Sequence, residues 1–547
     1  MISLRRRCLL LVPFFFGIAP AVPVAAQATR TSMLDYATGS EFEDYLRALQ
    51  VAGLTESYPW SIRGFSRREI KRLAAADTAG PWRLSAGLKL GGVTLGPITL
   101  RATVNSSYPY AANDGPVWAG RGLTTAISAG IAGGAGPLSV VLAPLAFRAE
   151  NSGFELLDNG AAGLQRFAHG IVPGSVDLPQ RFGDQPYSRL DPGASTVRFD
   201  SRLVTFGVST AIAWIGPATE YPFLLGTNAP GFPHVFIGTG GPVNLWVARA
   251  HARVAWGKLY QSDYSPVTGS ERYMSSADPG RVRLATHATL VVIPRGVPGL
   301  EVGFARFLHV PYDPGQPGAE FWKKPFKVFF LENEYAQGDS AGLDNQLASA
   351  FFRWVFPGSG FEVFGERGYE DQFHDLRDFL QTPDHLREYL VGFQKVWKRR
   401  PGSLHVLKAE IVNYQLAAIA RTRGEGGVYT HGTLRQGHTN RGQLLGASAG
   451  TPNAAASTLS WTRYTPGYRT ALTVRRIVRA ERGNYSASGT ADPRSTDVIM
   501  ATGVERMRFG KHVDFGAKVE AMQNFNRNFS RNVPNLNLQL TARLKPW

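Results

Sequence analysis

The chain has 547 residues, with 60 glycines, 35 prolines, one cysteine and a formal charge of +17. Past its N-terminal segment it has no run of about 18 apolar residues, which excludes a transmembrane helix. It also has no long low-complexity tract or fixed-period repeat. A soluble chain of this length divides into several domains, whereas a large barrel uses the whole length as one.

Arg5, Arg6 and Arg7, the apolar stretch Cys8 to Ile18, and Val24-Ala25-Ala26 before Gln27 read as a cleaved signal peptide over residues 1–26. Cys8 leaves with it, so the exported chain is held by packing and backbone pairing without disulfides. Removing those three arginines leaves 56 basic against 42 acidic side chains, a formal +14. A basic exported protein meets outer-membrane lipid, lipopolysaccharide phosphates and acidic glycans, and nucleic acid is not an expected partner. Solvated lumen and loop arginines account for the charge equally well.

Residues 27–79 form the helical part. Ser40 with Glu43 makes a capping box ahead of Phe42, Tyr45, Leu46 and Leu49, with Gly53 as a stop. Ser66 with Glu69 repeats the signature before Ile70 and Leu73. Two such short helices are expected to bury little and to sit on a barrel's periplasmic mouth.

From Trp82 the period changes to two: Trp82, Leu84, Ala86, Leu88 and Leu90 alternate with Arg83, Ser85, Gly87 and Lys89. Gly91-Gly92 turns the chain into Val93 and Leu95. Trp246, Ala248, Ala250, Ala252, Val254 and Trp256 share one face, and Arg249, His251 and Arg253 the other. Ten steps between the tryptophans is roughly 34 Å, or roughly 24 Å along the normal of a tilted strand, which matches the apolar band between aromatic girdles. Arg283 and His287 oppose Val282, Leu284 and Leu290, and Asp514, Lys518 and Glu520 oppose Val513, Phe515 and Val519. The last stretch, Asn535 to Leu544, puts Leu536, Leu538, Leu540, Ala542 and Leu544 on one face and only polar residues on the other. Trp547 ends the chain off that phase, after Pro546. Charges on the inner face need a wet or ion-paired interior, which a dry sandwich core does not supply. Glu150 to Pro192, Val310 to Lys324, Glu366 to Arg387 and Asn524 to Pro534 break the alternation and are expected to be long loops.

The expectation is an all-β fold, a large transmembrane outer-membrane β-barrel over residues 80–547 with a small N-terminal periplasmic helical element. At roughly 25 residues per strand and loop it would have about 16 to 20 antiparallel strands. A secreted soluble β protein is the competing fold.

Trp214 to Gly238 contains Gly216-Pro217, Leu224-Leu225, Asn228-Ala229, Pro230 and Pro233. Phe352 to Gly392 contains Arg353, Trp354, Phe356-Pro357, Glu366, Asp371, Asp378, Pro383-Asp384-His385 and Tyr389. Tyr429 to Gly446 contains His431-Gly432, Gln436-Gly437-His438-Thr439 and Arg441 to Gly446. In this order the three segments resemble the Wzi-type capsule-assembly proteins. Ile215 is inserted and Ala218 replaces a glycine relative to that pattern. The resemblance implies an outer-membrane barrel with a small periplasmic helical element that binds exported polysaccharide. It implies no set of contact residues.

The candidate polysaccharide-binding residues are Trp214, Arg353, Trp354, Glu366, Asp371, Asp378, His385, His431, His438, Arg441 and Gln443. Tryptophans, with Trp461 among them, offer faces for sugar rings, although aromatic girdles use them too. Arg441 offers a fork for a glycan carboxylate, and Gln443 offers bonds to hydroxyls. Glu366, Glu370, Asp371, Asp375, Asp378 and Asp384 could pair for glycoside hydrolysis, hold calcium, or simply pair with Arg367, Arg377 and Arg387. No metal site, cofactor or catalytic residue is expected, since no zinc spacing, nucleophile elbow or phosphate loop is present. The reading is a non-catalytic binder or assembler of capsular or exopolysaccharide, with the oligomeric state open and a monomer favoured. The alternatives are a porin or sugar-uptake channel and, behind it, an outer-membrane glycan or lipid hydrolase.

Overall fold

The structure, a computed structural model, describes residues 34, 37–74, 88–90, 93–267, 282–311, 345–370, 376–385, 387–399, 402–417, 427–432, 434–481 and 496–545. The expected signal segment, Trp82, Asp371 and Trp547 lie outside the described residues.

Helices α1 (Glu41–Val51) and α2 (Arg67–Ala74) come first. Short strands follow: β1 (Leu88–Leu90), β2 (Val93–Leu95), β3 (Ile98–Asn105), β4 (Gly122–Ser128), β5 (Ile131–Ala135), β6 (Leu138–Leu142), β7 (Leu145–Ala149), β8 (Tyr187–Asp191), β9 (Thr196–Asp200) and β10 (Val204–Ser209). Next are β11 (His234–Thr239), β12 (Val243–Asn244), β13 (Ala248–Tyr260), β14 (Val282–Pro294), β15 (Leu300–Pro311), β16 (Asn345–Phe356) and β17 (Phe361–Glu370). Helix α3 (Leu376–Gln381) precedes β18 (Arg387–Lys398), β19 (Leu404–Asn413), β20 (Thr439–Asn440) and β21 (Gln443–Leu444). The chain closes with β22 (Ala455–Thr465), β23 (Tyr468–Glu481), β24 (Thr496–Arg508), β25 (Val513–Arg527) and β26 (Arg531–Leu544).

All strands but β20 and β21 belong to one 24-stranded sheet. From β13 onward each wall strand pairs antiparallel with the next, and β26 pairs back to β3. The short strands are halves of longer ones. β3–β4, β4–β7 and β7–β8 pair at one level, and β2–β5, β5–β6 and β6–β9 at the other. Among the described residues, counting each broken strand once gives about eighteen wall positions, inside the expected range.

The alternation sorts side chains as the sequence suggested. Leu100, Ile127, Phe206, Ile237, Val302, Val391, Leu472, Val504, Phe515 and Leu540 are exposed around the wall, an apolar exterior no soluble monomer presents. At one end Trp354, Phe356, Phe361 and Phe393 form a chain of ring contacts on the outer face, and Trp397, His405 and Trp461 form another. This is the placement of an aromatic girdle. The same end carries the short turns 295–299, 357–360 and 466–467, and the opposite end carries the described long connections 106–121, 150–186 and 210–233.

Four expectations need correction, the last of them the burial of α1. Trp246 is 93% exposed in the bend before β13 and so is not a strand residue, although Trp256 is. Asn524 to Pro534 is a tight hairpin between β25 and β26 rather than a long loop. Asn526, Asn528 and Phe529 turn it with positive φ, a conformation asparagine tolerates. Glu366 and Glu370 stand on β17, so the first five residues of the expected Glu366–Arg387 loop belong to the wall.

Helix α1 is buried on nearly every side, contrary to the expected shallow contact. Its Phe42, Tyr45, Leu46 and Leu49 pack with Val355, Val396, Leu404, Val406 and Tyr464, which face the interior at the short-turn end. The capping boxes are formed. Ser40 Oγ accepts the Glu43 N–H, and at α2 Ser66 and Glu69 bond each other reciprocally.

Candidate functional site

The interior is filled from both ends. Residues 210–233, between β10 and β11, descend from the long-loop end and bury Trp214, Ile215, Tyr221, Phe223, Leu224, Leu225 and Phe232 in the barrel core. Residues 427–454, between β19 and β22, pack beside them. The Tyr429 hydroxyl donates to Phe223 O (2.7 Å), Gly226 N–H donates to Leu445 O (2.9 Å), and His438 Nε2 donates to Leu224 O (2.6 Å). Within this second segment β20 and β21 form a hairpin turned at Arg441 and Gly442, both at positive φ.

The descending segment meets the N-terminal element in mid-barrel. Gly216 N–H donates to Ser61 O (2.9 Å) and Arg63 N–H to Trp214 O (3.2 Å), while the Arg63 guanidinium lies 4.1 Å over the Trp214 ring. Gly216 has φ +90°, and a Cβ there would lie 2.9 Å from Glu366 Oε2, so only glycine fits without strain. Below the junction, Arg47 donates to Glu362 Oε1 (2.6 Å) and Pro217 O (2.6 Å). Arg353 donates to Glu362 Oε2 (2.7 Å), Glu301 Oε1 (2.7 Å) and Gln50 Oε1 (2.7 Å).

The candidate residues are therefore dispersed. Trp214 and Arg353 lie in this junction. Trp354 is in the girdle, its Nε1 donating to Pro298 O at 3.3 Å. Glu366 is buried against Gly216. Asp378 is on α3, and His385 on the turn after it, beyond the wall. His431 Nδ1 accepts the Leu434 N–H (2.8 Å). Arg441 lies 4.7 Å over the Tyr260 ring. Gln443 Nε2 donates to Gly115 O (3.1 Å) and Asn228 O (3.3 Å). The carboxylates divide as well: Glu366 and Glu370 face inward, whereas Asp384 is exposed beside Arg367 and Tyr389.

A cavity of about 260 Å³ opens at the long-loop end above the filled core. Its walls come from the connection after β3 (Tyr108, Tyr110, Trp118), the β7–β8 connection (Phe154, His169), and the ends of β23 and β25 (Arg479, Arg527). Arg527 sits 4.1 Å over the Tyr108 ring and 5.8 Å from Phe154. Its Nη1 and the Tyr108 hydroxyl are buried without a partner among the described residues. Arg479 is engaged, donating to Asp497 Oδ2 (2.8 Å) and Asn528 Oδ1 (3.0 Å). Burial pushes the Tyr108 hydroxyl up to about 12, so it stays a donor, and burial with the Arg479 charge pushes His169 down to about 4. Sequence reasoning missed this cavity, because Tyr108 and Arg527 lie at opposite ends of the chain and meet only through the β26–β3 ladder.

These features define a large antiparallel β-barrel with an apolar exterior and an interior filled by its own chain. Among solved structures, the chain has the fold of Wzi of Escherichia coli, described as an outer-membrane protein involved in group 1 capsule assembly and a carbohydrate-binding β-barrel. The match has 13% identity, covers 93% of this chain and 99% of that one, and has a TM-score of 0.61. Weaker similarity extends to OpdL of Pseudomonas aeruginosa (10% identity, 84% and 100% coverage, TM-score 0.38) and OccAB2 of Acinetobacter baumannii (12%, 82% and 98%, 0.38). No family model and no curated protein matches the chain.

Proposed function

We propose that this chain is an outer-membrane barrel that holds exported polysaccharide at the cell surface without covalent chemistry. Short turns face the periplasm in such barrels and long loops face outside, so α1 would close the periplasmic end and the 260 Å³ cavity would face the medium. The observation that carries the reading is the meeting of Trp214–Gly216 with Ser61–Arg63 inside the barrel, which fills its middle with the chain's own segments and favours binding at the outer face. The fold shared with a carbohydrate-binding barrel supports the same reading. Residues 1–26 would be the cleaved signal, so the membrane-fraction protein would begin at Gln27.

Glycan-array binding by the detergent-folded protein at two salt concentrations tests the reading. Binding to hydroxyl-rich, acidic chains that weakens as salt rises is expected, and absence of glycan binding contradicts it. One observation favours a channel instead. A cavity of about 420 Å³ runs beside Arg101, Asp114, Lys518 and Arg543, between the filled core and the wall of β3, β4 and β24 to β26. Ion conductance across a bilayer decides between the two.

A further inference from the structure

We propose that the outer cavity receives one acidic sugar residue, with its carboxylate held by Arg527 and Tyr108; this rests on the polysaccharide reading above. Arg527 is 7% exposed and Tyr108 2%; both residues line the cavity, and each carries a buried polar atom without a partner among the described residues. A buried donor without an acceptor costs about 1–3 kcal/mol, more when charged, so protein interiors rarely keep two side by side.

Charge points the same way. Among the described residues Asp497 is the buried carboxylate near the two cavity arginines; its Oδ2 accepts from Arg479 and from the Asn528 N–H, while its Oδ1 has no partner. Arg531 and Glu155, farther out, cancel each other. Among the described residues Arg479, Arg527 and Arg531 thus outnumber Asp497 and Glu155 by one positive charge. A carboxylate placed at Arg527 would accept from Nη1 and from the Tyr108 hydroxyl at once, a charge-assisted pair.

The walls argue for a sugar over a bare anion. Tyr110, Trp118, Phe154, Leu157 and Ile171 make most of the lining apolar. Such walls suit the C–H faces of a pyranose ring and would stay uncovered around phosphate alone. The volume of about 260 Å³ is just below the ~300 Å³ at which small-molecule clefts begin. It therefore suits one ring of a longer chain whose remainder lies in solvent.

The test titrates detergent-folded protein at low salt with oligoglucuronate and with the same oligosaccharide after carboxyl reduction. Wild type should prefer the acid about tenfold or more. Arg527→Gln should abolish the preference, Tyr108→Phe should reduce it several-fold, and Arg531→Gln should keep it. If Arg527→Gln does not fold, Tyr108→Phe carries the test, and an undiminished preference in it overturns the assignment. Equal binding of acid and reduced forms by wild type overturns the carboxylate site while the polysaccharide reading stands. Failure to bind either form overturns the carboxylate site, and failure on the glycan array as well overturns both. Displacement of oligoglucuronate by inorganic phosphate at equal concentration overturns the sugar assignment in favour of a general anion site.

Discussion

The two ends of the barrel interior treat buried arginine in opposite ways. At the short-turn end Arg47 and Arg353 are almost wholly buried, and Glu362 and Glu301 neutralise them. At the long-loop end Arg527 is nearly as buried, yet among the described residues its Nη1 has no acceptor and Asp497 pairs with Arg479. Removing one partner of a buried pair is costly, whereas removing an uncompensated charge is not. The first end is therefore built for stability, and the second leaves a place for something outside the chain.

The largest expected effect breaks the first end. Glu362→Ala leaves the buried Arg47 without a carboxylate and Arg353 with Glu301 alone, and should destabilise the fold by about 3–5 kcal/mol, read as a lower melting temperature in detergent and faster proteolysis near α1. Next, Gly216→Ala puts a Cβ against Glu366 at a positive φ. It should cost about 1–3 kcal/mol and loosen the mid-barrel junction, read by faster hydrogen exchange in residues 214–225. Arg527→Gln should change stability by no more than about 1 kcal/mol, in contrast to Glu362→Ala; a loss as large as that of Glu362→Ala would erase the distinction between the two ends.

The smallest effect is in pH. His169 titrates near 4 in the folded chain against about 6.5 unfolded. The folded state then binds fewer protons, so this contribution is complete above pH 6.5 and is lost as pH falls through about 4. Hydrogen exchange over residues 157–180 should accelerate across that window, and His169→Gln should remove the dependence.

The wall was legible because lipid imposes one rule on every strand. The leucines of Leu536 to Leu544 follow it without exception, and both capping boxes are local. The filling was not legible. Gly216, Leu224 and His438 carry the resemblance, yet their job is to pack on each other, and nothing local distinguishes a histidine bonded to a carbonyl from one awaiting a sugar. Asn524 to Asn528 looked like loop because its asparagines turn a hairpin and face inward at the barrel's end. Tyr108 and Arg527 carry no motif, since their meeting is a product of the β26–β3 register.

The central claim is that the chain's own segments block its interior, and planar-bilayer conductance of the purified full-length protein tests it most directly. The account predicts no stable ion-conducting steps from wild type and their appearance when residues 214–230 are replaced by a short flexible linker. Steady ohmic conductance from the unaltered protein would contradict it.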